Sequence, residues 1–96
     1  MTTEADIRLQ LAKREYGRLK LAQLIAIAHE RYGTYAYPLA YGIRAENNIR
    51  TDIDRSKKVW LILLSQPIES NQPKIDRIRE QRAILRQQFP QFYRNR

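Results

Sequence analysis

The chain has 96 residues, 43% of them hydrophobic and 29% charged, and its 18 lysines and arginines outweigh 10 acids to give a net charge of +8. That length fits one domain around one core, and that composition excludes a disordered chain. The absence of cysteine excludes a disulfide framework and a thiolate metal site, and three glycines and four prolines are too few for many short strands and turns.

The acidic start, Met1-Thr-Thr-Glu-Ala-Asp6, lacks the apolar stretch of a secretory leader. The longest apolar run, Val59 to Leu64, is far below the ~20 residues that cross a bilayer. The expectation is a single cytoplasmic domain over residues 1–96 with no membrane partner.

In chain order, the first predicted element is a helix over about residues 4–32. Thr3 is its N-cap, and Asp6 adds negative charge where the helix dipole favours it. Ile7 and Leu11 share one face, and Leu9, Ala12 and Tyr16 share another. From Leu19 to Ala28 the pattern is apolar nearly all round, which places that half centrally in the fold. Gly17 separates the two regimes and marks a bend or a close helix crossing, and Gly33 stops the helix.

Residues 33–42 form an aromatic connector, and Pro38 opens a short helix over about 38–48. The next helix covers 51–65, with Thr51 as cap, Asp52 and Asp54 at its N-terminal end, and Pro67 beyond its C-terminus. Ile49, Ile53, Trp60 and Leu64 keep roughly helical spacing along it. Val59 to Leu64 also reads as a buried strand, whose one candidate partner is 35–43; helix is the preferred reading.

After the turn 69–72, a last helix runs over 73–89, with Pro73 at its first position. Ile75, Ile78, Leu85 and Phe89 form one stripe, and Arg79, Arg82 and Arg86 a second beside it. Pro90 ends the helix and 91–96 is a basic tail. The predicted fold is an all-α bundle of three long helices and one short one.

Catalysis finds no support in these residues. His29 is the only histidine, and neighbouring Glu30 points to a different helix face, so no carboxylate orients it as a base. Asp52 and Asp54 diverge by about half a turn rather than converging on one ion. Neither a glycine-rich phosphate loop nor a nucleophile elbow is present. A non-catalytic protein without metal or cofactor is expected.

The basic residues say more when sorted by local partner. Arg50 has Glu46 four positions back, the 55–58 cluster has Asp52 and Asp54, and Asp76 can reach Arg79. Lys13, Arg14, Lys20, Arg82 and Arg86 have no carboxylate three or four positions away, and Arg18 has only Glu15. Arg14 and Arg18 would stack one turn apart. Two under-neutralised patches result, and they would merge into one groove if the first and last helices packed side by side. The plainer alternative is that these cations reach acids on other helices or serve solubility.

Tyr35, Tyr37 and Tyr41, close to Tyr32, are either base-stacking side chains or a plug for one end of the bundle. Trp60, Leu61 and Leu64 are a candidate oligomer interface, because they carry more apolar surface than a small bundle easily covers. The leading expectation is a nucleic-acid-binding protein, or a small helical subunit of a ribonucleoprotein complex. It would hold the backbone of RNA or single-stranded DNA through basic helix faces. The alternative is an adaptor that self-associates or docks on an acidic partner through Trp60 and its neighbours.

Overall fold

Helices account for nearly all of the described residues of the computed structural model, which are 2–47, 52–69 and 72–90. The order is α1 (Glu4–Tyr16), α2 (Leu21–Tyr32), a 3₁₀ turn (Gly33–Tyr35), α3 (Ala36–Asn47), α4 (Ile53–Ser65) and α5 (Gln72–Gln88). No strand occurs among the described residues, and the bundle is all-α as the sequence predicts. The expected Arg50–Glu46 pair, the positions of Ile49 and Thr51, the centre of the 69–72 turn and the tail 91–96 lie outside the described residues.

Thr3 starts α1 with a reciprocal cap. Its Oγ1 accepts from the Asp6 amide at 3.2 Å while Asp6 Oδ2 accepts from the Thr3 amide at 3.2 Å. The segment expected to form one helix over 4–32 is two helices, interrupted at 17–20. Gly17 closes α1 through a 2.9 Å bond to the Lys13 carbonyl, and Lys20 is extended at ψ 156. Length explains the break. One helix over 4–32 would run about 43 Å, whereas the thirteen residues of α4 span about 20 Å. Once broken, both α1 and α2 lie on α4. Arg14 and Arg18 therefore do not stack, since Arg18 sits in the turn beyond α1. Gly33, at φ 64, ends α2 in a conformation glycine adopts without steric cost.

The Val59 to Leu64 run is helical, within α4, and its backbone bonds are met inside the helix rather than by a second strand. Asp52 caps α4, its carboxylate accepting from the Arg55 amide at 2.8 Å and pairing with the Arg55 guanidinium at 3.4 Å. α4 touches α1, α2 and α3, and Val59, Leu61, Leu63 and Leu64 are buried around most of its girth. Trp60, Leu61 and Leu64 are 6%, 7% and 2% exposed, so they fill the core of the chain itself rather than an oligomer interface. α4 covers its apolar surplus with three neighbouring helices.

A helix end in this position leaves carbonyls that need donors. Ser65 Oγ donates to the Ile62 carbonyl at 2.6 Å. The Tyr32 hydroxyl lies 3.0 Å from the Leu63 carbonyl and 2.7 Å from that of Gln66, and shares its proton between them. Arg31 Nη1 donates to the Leu64 carbonyl at 2.6 Å, placing a cation at the negative end of the α4 dipole. Lys57 performs the matching service for α1, donating to the Gly17 carbonyl at 3.0 Å.

Removing the Tyr32 hydroxyl leaves part of this carbonyl set without a donor. Tyr32→Phe should cost about 1–3 kcal/mol in urea unfolding, whereas Tyr41→Phe, at an exposed site, should be near neutral. A Cβ at Gly17 runs into the Lys13 carbonyl oxygen. Gly17→Ala should therefore destabilise by roughly 1–3 kcal/mol, and an unchanged melting temperature would contradict that clash.

Candidate functional site

α5 is seated on α3 by its first half alone. Ile75 is buried and Ile78 half-buried, while every described residue from Arg79 to Pro90 is exposed. Arg79 fixes the register: its Nε donates to the Tyr35 hydroxyl, and its guanidinium carbon stands 5.0 Å from the Tyr35 ring centroid. That hydrogen bond, followed by the charge interaction with the same phenol, pushes the Arg79 pKa above its ordinary value. The expected Asp76–Arg79 pair is replaced by this contact, and Asp76 Oδ1 instead accepts from Gln72 Nε2 at 3.1 Å.

Between α3 and α5 lies an open cleft of about 810 Å³. Tyr37, Tyr41 and Gly42 border it from α3; Ile78, Arg82 and Leu85 border it from α5. Lys74 and Arg77 also reach it, and Glu46 is the one carboxylate in its lining among the described residues. Tyr37 and Tyr41 stand one helical turn apart on the same face of α3. Their exposures are 55% and 71%, large values for aromatic rings. Tyr37 is steadied by edge contacts to His29 and buried Trp60, with ring centroids at 4.7 and 5.4 Å. The Arg44 guanidinium sits 5.8 Å from the Tyr41 ring centroid.

Gly42 occupies the interior of α3, where glycine costs about 1 kcal/mol relative to alanine. Neither backbone nor packing demands it. Its φ is not positive, and a Cβ there would meet nothing within 4 Å. Its local effect is to leave the cleft wall bare between Tyr41 and Ile43.

The candidate residues sort into three groups. Arg82 joins Tyr37 and Tyr41 at the cleft, while half-buried Tyr35 is engaged by Arg79. Arg86 continues along α5 and is exposed outside the cleft lining. Lys13 and Arg14 on the end of α1, and Arg18 and Lys20 in the turn after it, are exposed on a separate surface. α1 lies on α4 and α5 lies on α3, so the two patches do not merge into one groove along those helices. Among the described residues the ion pairs are Arg8–Glu4 and Arg55–Asp52, and neither involves any of the six candidate cations. Among them also, no three histidine, aspartate or glutamate side chains gather in a metal-binding group.

Lys74, Arg77 and Gly42 belong to the cleft but escape a search for unneutralised charge. Arg77 does so because Glu80 lies three positions on, and Gly42 because it has no charge; Lys74, with no carboxylate three or four positions away, meets the same criterion as Arg82 and was simply passed over. The readable signal was Gly42, a glycine inside a helical pattern with no turn to account for it. No helix among the described residues is long and apolar enough to cross a membrane. Comparison of the chain with protein-family models, with curated proteins and with solved structures returns no match.

Proposed function

We propose that the chain is a non-catalytic nucleic-acid-binding protein, acting alone or as a small helical subunit of a ribonucleoprotein complex. It holds the backbone of RNA or single-stranded DNA through basic helix faces, and a cytoplasmic location accords with this reading. One observation carries it: Lys13, Arg14, Arg18, Lys20, Arg82 and Arg86 are all exposed, and none enters an ion pair among the described residues. Exposed guanidinium and ammonium groups left without carboxylates displace the counterions around phosphates and gain free energy as those ions are released. Contacts of this kind position a strand without reading its sequence.

Affinity for a mixed-sequence single-stranded oligonucleotide should fall steeply with added salt. In fluorescence anisotropy titrations, Arg82→Ala with Arg86→Ala should flatten the slope of log affinity against log salt by about 0.7 for each phosphate no longer neutralised. An equal flattening from Lys13→Ala with Arg14→Ala would identify the second patch as phosphate-binding too. No binding at low salt overturns the proposal.

A specific observation also favours docking on an acidic protein. Leu85 on the far half of α5 and Phe89 just past its end are 39% and 43% exposed beside Arg82 and Arg86. With Trp60 in the core, an adaptor would anchor there instead. Self-association through this face would appear in sedimentation velocity as a dimer weakened by Leu85→Ala, and a monomer at every concentration removes that form of the reading.

A further inference from the structure

We infer that the α3–α5 cleft receives unpaired bases, which makes the protein a reader of single strands over duplexes. The inference rests on the nucleic-acid reading and deepens it. Phosphate contacts alone give no preference for a single strand, since a duplex packs about twice the charge into the same length. The cleft adds what a duplex cannot use: two exposed tyrosines one helical turn apart on α3, in one lining with the apolar side chains of Ile78 and Leu85 on α5. Bases stacked within a duplex present only their edges, whereas an unpaired base offers a flat face to an exposed ring.

Charge selects the occupant. Lys74, Arg77 and Arg82 border the cleft against Glu46, the one carboxylate in its lining among the described residues. A strand whose bases enter the cleft therefore carries its phosphates past three cations, and an uncharged apolar side chain would leave them unanswered. Gly42 supports the same assignment. A helical position that needs no glycine for its backbone or its packing has one where any side chain would extend into the cleft. Tyr41, the most exposed of the tyrosines here, is the principal platform, and Tyr37 the deeper one held by Trp60 and His29.

The test compares a short oligo-uridine RNA with an RNA duplex of equal length, using the full chain and two variants. Gly42→Leu fills the cleft from a position with free space around it and leaves every charge in place. Tyr41→Ala removes the platform at an exposed site. The single strand should bind more tightly than the duplex. Each variant should weaken single-strand binding by roughly 5- to 150-fold, the loss of one base stack, with duplex affinity and salt slope unchanged. Circular dichroism melts should show both variants folded, and Gly42→Ala serves as a second cleft variant with higher helix propensity and a smaller obstruction. Equal affinities for strand and duplex, with all variants matching the parent, overturn the base cleft while leaving the phosphate-binding proposal intact. No binding of either oligonucleotide at low salt overturns both, and points to an apolar side chain of an acidic protein as the occupant.

Discussion

The capping of α4 by α2 is the constraint on which the rest of the bundle depends. The C-terminal half of α4 is the most buried helical segment among the described residues, and its last carbonyls are at least partly withdrawn from water. Left without donors, each would cost about 1–3 kcal/mol. The Gln66 amide and Ser65 hydroxyl serve the Leu63 and Ile62 carbonyls from α4's own end, and Tyr32 and Arg31 add donors from the end of α2, tying the two helix ends together. Because α2 must end there, the chain has to turn at Gly33, and α3 begins on the adjacent side of α4. The orientation of α3 in turn decides where the tyrosines point.

Much of this was legible in the sequence, and the failures have a common cause. The Thr3 cap, the stops at Gly33 and Pro67 and the helical reading of Val59 to Leu64 follow from local chemistry, which acts within one or two turns. The break at 17–20 was legible only as a bend at Gly17, which caps α1; that the helix stops outright does not follow locally, because Arg18, Leu19 and Lys20 are good helix formers. Trp60 looked like surplus apolar surface since nothing local reveals that three helices converge on α4. Arg79 had a carboxylate at hand in Asp76, yet its partner is a phenol 44 positions upstream. Local pairing rules, worth about 0.2–0.5 kcal/mol, yield to a contact combining a hydrogen bond with a ring face.

α5 shows the opposite balance from α4. Its apolar positions run from Ile75 through Ile78 to Leu85, with Arg82 between the last two, but the bundle covers only the beginning, so Leu85 continues past the buried contact into the cleft. Packing of one end supplies attachment, and the unpacked remainder supplies surface. A helix buried along its whole length would have its arginines held among neighbours. One attached by Ile75, Ile78 and the Arg79–Tyr35 contact leaves Arg82 and Arg86 in solvent, where their charge is available to a partner.

The tyrosines record the same gradient in a single residue type. Tyr32 is buried and directs its hydroxyl to the α4 carbonyls; Tyr35 is half-buried and engages Arg79 with both hydroxyl and ring. Tyr37 keeps edge contacts with the core through Trp60 while exposing more than half of its surface, and Tyr41, a turn further along α3, is the most open. Exposure rises at each step, from cap to latch to steadied ring to open ring. The plug and stacking readings of the aromatic cluster are therefore not rivals for the same residues. The inner tyrosines close the bundle, and by closing it they hold the outer two beside α5, where the proposed base would meet rings already in place.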